Sequence, residues 1–253
     1  MDHTNQMLVA SAIKKSAERV LDFILPARCA NCSTKIAAHG YLCPVCWGEL
    51  HPLTSPFCHH CALPFEFDTG YGDECGACLK EPPAFDWARA AVTYDEMGRS
   101  LVLRLKHAGS TAVVPAMAQM MALALADMPV DIIMPVPLHK RRMLLRRFNQ
   151  SQLLSDALAV RLGLTSDNFS LRKKKATQSQ GGLGRKARFQ NVRASFEIKT
   201  GHTDMIKEKD IVLVDDVLTT GATASACAKI LKKAGAKSVG IITFARVGQP
   251  IAG

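Results

Sequence analysis

Long apolar runs are missing from these 253 residues. No stretch approaches the about 18 residues of a membrane-crossing helix, so membrane insertion is not expected. A secretory leader is not expected either, because Lys14, Lys15, Glu18 and Arg19 interrupt the opening segment. Without either signal, the chain reads as cytoplasmic. Aromatic residues are scarce, 6% of the total, which leaves few platforms for base stacking. Acids are nearly absent from one long segment. Between His139 and Arg193 stand 14 Lys and Arg against only Asp156 and Asp167. That local net of +12 exceeds the +10 of the whole chain, so the remainder is slightly acidic. A one-sided charge of this kind suggests a polyanionic partner, either the phosphates of a small molecule or a nucleic acid.

Hydrophobic residues make up 48%, enough to bury a core, and the length suits one large domain beside a small one. Val9, Ile13, Ala17, Val20, Leu21 and Ile24 follow helical spacing, which predicts an amphipathic helix over residues 1–24.

Nine cysteines follow a pattern. Eight form four C-x-x-C pairs: Cys29 and Cys32, Cys43 and Cys46, Cys58 and Cys61, Cys75 and Cys78. The intervals between pairs are 10, 11 and 13 residues. Two thiolates at this spacing reach one ion from a single tight turn, and two such turns close a tetrahedral four-sulfur site suited to structural zinc. Eight ligands make two sites. The intervals favour two consecutive ribbons, Cys29/Cys32/Cys43/Cys46 and Cys58/Cys61/Cys75/Cys78, with an interleaved arrangement as the alternative. His39, His51, His59 and His60 are surplus to eight sulfurs. Closed four-sulfur sites have no open position, so no chemistry is expected there. Cys227, alone in an apolar segment, reads as a packed core residue. Residues 25–82 thus form a double zinc ribbon, ended by Pro82-Pro83.

From residue 85 the pattern alternates. Strands are expected over 88–95, 131–137, 169–174, 211–216 and 237–246, and helices over 97–109, 115–127, 149–163 and 223–235. Asn149 is positioned as an N-cap. Residues 174–193 are polar, basic and glycine-bearing, the composition of a mobile loop or a functional cover. Alternation of this kind argues for a parallel sheet covered by helices on both faces. Ligands of such sheets bind beyond the carboxyl ends of the strands. Three segments are placed on that rim: the one after residue 136, the basic loop after residue 173, and the one beginning at Asp215.

The last of these, IVLVDDVLTTGATA over residues 211–224, carries the chemistry. Gly221 permits a tight turn, and the helix that follows offers unpaired N–H groups at its positive end, a phosphate cradle. Thr219, Thr220 and Thr223 add hydroxyls. No Lys-Ser/Thr pair follows the glycine, so this is not an NTPase P-loop. Asp215 and Asp216 would repel a phosphate, but they suit the hydroxyls of a sugar attached to it, with or without a divalent cation. A ribose 5-phosphate fits both halves of the motif.

That string resembles the PRPP-binding signature of type I phosphoribosyltransferases. With the PVPLHKRRMLLRRFNQSQLLSDALA segment, LKHAG, the ATQSQGGLGRKARFQNVRASF stretch, the terminal FAR and the cysteine module, the chain resembles the ComF/GntX family of competence-associated proteins. The resemblance implies a type I phosphoribosyltransferase fold over residues 85–250, with a parallel sheet flanked by helices behind the ribbons. It implies that Asp215 and Asp216 hold the ribose hydroxyls, and that Val217, Leu218, Thr219, Thr220, Gly221, Ala222 and Thr223 wrap the 5-phosphate. Pro137, Leu138 and His139 take the place of the pyrophosphate loop, and Lys106 sits in the LK-x-x-G segment. Residues 174–193 match the hood, with Gln178, Gln180, Leu183, Arg188 and Asn191 on its recurring positions. Asp215, Asp216 and Arg188 are the catalytic candidates, with Mg2+ accompanying PRPP. Arg147 stands where the family carries glycine, a change that would disturb a positive φ or a close ligand approach.

Two functions follow as expectations. One is a PRPP-binding phosphoribosyltransferase-like protein acting in natural competence, DNA uptake and transformation. The other is a non-catalytic single-stranded DNA-binding protein that reuses the fold. In the second, Lys140, Arg141, Arg142, Arg146 and Arg147 would meet the nucleic acid, and DNA-uptake proteins would be partners.

Overall fold

A computed structural model describes residues 26–66, 74–107, 111–138, 148–173 and 196–248. The expected helix over 1–24, the segment from His139 to Arg147 and the hood with Arg188 lie outside the described residues.

In chain order the elements are α1 (Pro44–Gly48) and α2 (Gly76–Lys80) in the cysteine module, then β1 (Trp87–Thr93), α3 (Glu96–His107), α4 (Val114–Ala124), β2 (Ile132–Pro135), α5 (Gln150–Leu162), β3 (Thr165–Ser166), β4 (Leu171–Lys173), β5 (Phe196–Ile198), β6 (Asp210–Leu218), α6 (Ala222–Lys233) and β7 (Ser238–Arg246). Five strands form one sheet in the order β1-β7-β6-β2-β3, and every pairing in it is parallel.

The sheet is covered on both faces, which explains the unbroken apolar runs of its central strands. In β6, Val212 and Val214 join a core with Leu101, Met117, Leu154 and Phe244, under α3, α4 and α5. Ile211 and Leu213 face the other core, with Cys227 and Leu231 of α6. Cys227 is fully buried there, as its surroundings in the sequence suggested. Gly240 of β7 lies against Trp87, where a Cβ would fall 2.0 Å from the indole. Asn149 caps α5 by accepting the Ser151 N–H at 3.1 Å, and Gly163 closes that helix at φ +67°.

The chain leaves β2 towards β3 in one direction and leaves β6 towards β7 in the other. The helices that follow, α5 and α6, cover opposite faces. The order therefore reverses between β2 and β6, the switch point beyond whose carboxyl ends ligands of such sheets bind.

Three expectations are corrected. The 169–174 strand is not part of the main sheet: its core, β4, pairs antiparallel with β5 in a separate two-stranded unit. The loop after it therefore does not start from the main rim. A three-residue strand finds its partner 25 residues away, which no local pattern reveals. The strand expected over 211–216 runs on to Leu218, because β7 continues the ladder beside it through the Leu218 and Arg246 pair. Asp215 and Asp216 are thus strand residues held at fixed positions. The helix expected to begin at Thr223 begins at Ala222, with Gly221 as its cap residue and no side chain capping it.

Candidate functional site

The carboxyl end of β6 gathers the groups that the sequence singled out. Asp216 is buried, and its Oδ2 lies 3.1 Å from Lys106 Nζ at the end of α3. Asp215 is half-buried beside it. Its Oδ1 accepts the Ser151 hydroxyl at 2.8 Å and the Asp216 N–H at 2.9 Å. Burial, then the adjacent Asp216 carboxylate, pushes the Asp215 carboxyl up to about 7, and the Ser151 hydroxyl opposes that rise. Two carboxylates on consecutive residues are thereby distinguished: one is matched by a lysine, while the other is held by a hydroxyl and poised to lose its proton near neutrality.

The loop beyond them is exposed at Thr219, Thr220 and Thr223. Gly221 adopts φ +72°, a left-handed conformation that costs other residues roughly 1–2 kcal/mol. Its α-carbon sits on Phe85, whose ring atoms would lie 3.3 Å from an added Cβ. The Thr220 hydroxyl accepts the Ala222 N–H at 3.4 Å. At the start of α6, Gly221 and Ala222 are half-buried and Thr223 is exposed, and the positive end of a helix dipole attracts a phosphate. Pro137 and Leu138 follow β2 on the neighbouring strand, where Val136 N–H donates to Val214 O at 2.9 Å. The structure thus brings together Lys106, Asp215, Asp216, the 217–223 segment, Pro137 and Leu138. His139, Lys140, Arg141, Arg142, Arg146, Arg147 and Arg188 fall outside the described residues.

Two residues escaped the sequence reading of this site. Ser151 is 64 positions from Asp215, and nothing local distinguishes it from the other serines. Arg246, read only as part of the FAR ending, is buried, and its Nη1 donates to Leu218 O at 3.2 Å and to Thr219 O at 2.9 Å.

The cysteines resolve into consecutive ribbons. The sulfurs of Cys29, Cys32, Cys43 and Cys46 lie within 4.8 Å of one another, and so do those of Cys58, Cys61, Cys75 and Cys78. Cys32 to Cys43 and Cys61 to Cys75 are each 3.6 Å between sulfurs. That is close to the about 3.8 Å that tetrahedral Zn–S bonds of about 2.3 Å require. Backbone N–H groups point at the sulfurs, Cys43 N–H to Cys29 Sγ at 3.2 Å and Cys75 N–H to Cys58 Sγ at 3.3 Å, each joining the two halves of its site. The histidines are engaged elsewhere. His51 meets Asp95 at 2.6 Å, and His60 meets Glu74 at 2.9 Å. The chain carries two structural zinc sites, each built from four cysteines.

A parallel α/β sheet with a carboxylate pair and a phosphate-type loop at its switch point, behind two zinc ribbons, defines a phosphoribosyltransferase-like protein with an N-terminal metal module. Comparison with known sequences agrees. The double zinc ribbon domain matches residues 20–79, and the phosphoribosyl transferase domain matches residues 151–251. Competence protein F of Haemophilus influenzae is 31% identical over 87% of this chain and 96% of its own length. DNA utilization protein YhgH of Salmonella typhi is 31% identical over 88% of this chain and 98% of its own. Competence protein ComFC of Streptococcus pneumoniae is 27% identical over 81% of this chain and 87% of its own. The chain belongs to the ComF family.

Proposed function

We propose that the crevice between β2 and β6 binds PRPP or a related ribose phosphate together with Mg2+. The observation that carries this reading is the fixed pair Asp215 and Asp216 one loop away from the start of α6. The 5-phosphate would take the amides of residues 219–222 and the Thr219, Thr220 and Thr223 hydroxyls. The ribose 2- and 3-hydroxyls would donate to Asp215 and Asp216, with Ser151 orienting the first and Lys106 balancing the second. Pro137, Leu138 and His139 would border the pyrophosphate, and Arg188 would approach it from the hood. A hard cation fits this donor set of paired carboxylate oxygens, and when bound it supplies neutralisation of the pyrophosphate charge. The reaction class is displacement of pyrophosphate at the anomeric carbon by an acceptor. It asks the chain to orient reactants and exclude water, and requires no side-chain nucleophile.

The names of the relatives support a role in competence and DNA use. A cytoplasmic setting fits these names and the zinc thiolates. Among the described residues no helix is long and apolar enough to cross a membrane. The reading keeps residues 1–24 as a helix, 25–82 as the ribbons and 85–250 as the ribose-phosphate domain.

Titration calorimetry of the zinc-loaded protein with PRPP and Mg2+ tests the proposal. Saturable binding is expected, and it should vanish in Asp215→Asn/Asp216→Asn. A well-folded wild type that takes up no PRPP would contradict it. The second reading, single-stranded DNA held by Lys140, Arg141, Arg142, Arg146 and Arg147, rests on the basic run from 139 to 193. It predicts DNA affinity that falls steeply with salt.

A further inference from the structure

Arg246 ends β7 with only 6% of its surface exposed. A guanidinium so deeply buried calls for compensation. Its Nε donates to Cys61 O at 2.7 Å, and its Nη2 approaches Cys61 Sγ at 3.7 Å. Its Nη1 donates to the carbonyls of Leu218, Thr219 and Val247. The partners are thus four carbonyls and a zinc-ligand sulfur. A zinc ion with four thiolates carries a net charge of 2−, and that cluster supplies the counter-charge.

The geometry extends to the phosphate loop. A trans peptide points its C=O and the following N–H in opposite directions. With the Leu218 and Thr219 carbonyls drawn to Arg246, the N–H groups of Thr219 and Thr220 turn away from it. The Val247 N–H donates to Leu218 O at 3.1 Å and reinforces the same orientation.

We infer that Arg246 is a positioning residue that makes the second zinc knuckle part of the anion site. The ion fixes Cys61, Cys61 fixes the guanidinium, and the guanidinium aims the loop amides. The zinc is then structural for the ligand as well as for the ribbon. This rests on the ribose-phosphate reading for its ligand, but not for its geometry.

Arg246→Lys keeps the charge and removes the fork that spans Cys61 and the loop. Three readouts are expected from it. Zinc content stays at two ions per chain. Backbone NMR order parameters of the Thr219 and Thr220 amides in the ligand-free protein fall from about 0.85 to below about 0.6. Affinity for PRPP with Mg2+ falls at least about tenfold. A residue that merely stabilised the fold would lower the melting temperature without singling out those amides. Unchanged order parameters at Thr219 and Thr220 in a folded, two-zinc variant overturn the inference, whatever PRPP does. A wild type that binds no PRPP counts against the proposed function instead, and the order parameters still decide on Arg246. Should the variant not fold, cobalt-substituted wild type provides the second measurement. PRPP with Mg2+ should shift the thiolate-to-cobalt absorption, and a spectrum unmoved at saturating PRPP overturns the link.

Discussion

The two zinc ribbons share a ligand pattern and differ in what they touch. The first merges with the main core. Cys29, Ala30, Cys43, Cys46 and Leu50 pack in one cluster with Trp87, Met97 and Leu101. Asn31 secures it further, accepting from Ser100 Oγ at 2.9 Å and from Arg104 Nε at 3.1 Å, and donating to Cys46 Sγ at 3.4 Å. Both donors belong to α3, the helix whose end carries Lys106. The second ribbon keeps a small cluster of its own, Cys58, Cys75 and Cys78 with Leu63 and Phe65. It reaches the domain through Ala62, through His59 O beneath the Ala88 N–H at 3.3 Å, and through Arg246. Identical chemistry thus serves two ends. On the proposed reading, one ion supports the fold, and the other supports the loop that would hold the phosphate.

Breaking each ribbon separately puts that division to the test, and the largest effect belongs to the first. Cys46→Ser opens a site continuous with the core, and we expect a loss above about 4 kcal/mol in chemical denaturation. Next in size is the site itself. Asp215→Asn removes a charge-assisted contact, and PRPP affinity measured by calorimetry should fall about 100-fold. Its pH dependence is distinctive. With the folded carboxyl raised to about 7, the wild type should gain affinity as pH climbs from 6 to 8, and the Asn variant should lack that component of the rise. The sign for stability is opposite. A carboxyl at about 7 when folded and about 3.9 when unfolded weakens the ligand-free fold as pH rises between those values. Asp215→Asn should therefore raise the melting temperature at pH 8 and leave it nearly unchanged at pH 4.

Smaller effects sharpen the contrast. Cys78→Ser should cost less global stability than Cys46→Ser, because its cluster is separate from the main core, yet lower PRPP affinity about tenfold. Equal stability losses for Cys46→Ser and Cys78→Ser would erase the distinction. Smallest is Asn31→Ala, about 1 kcal/mol in thermal unfolding, with zinc content preserved.

Much of this was legible in the chain. Four C-x-x-C pairs announced two closed four-sulfur sites, since nothing else gathers eight thiols at that spacing. Their pairing was not fixed by the intervals, because either arrangement spans them, and the fold selects consecutive ribbons. The acids, the threonines and Gly221 were readable because they stand together in one short stretch of sequence. Ser151 and Arg246 were not, because their roles arise from contacts across 64 and 185 positions. The continuation of β6 through two acids also defeated the periodicity. Apolar patterning reports burial, whereas the ladder to β7 is made by the backbone.

The most direct test of the central claim is a co-crystal structure of the zinc-loaded protein with PRPP and Mg2+. The account predicts the 5-phosphate on the amides of residues 219–222 and the ribose 2- and 3-hydroxyls on Asp215 and Asp216. Ligand density elsewhere, or none at saturating PRPP, would contradict it.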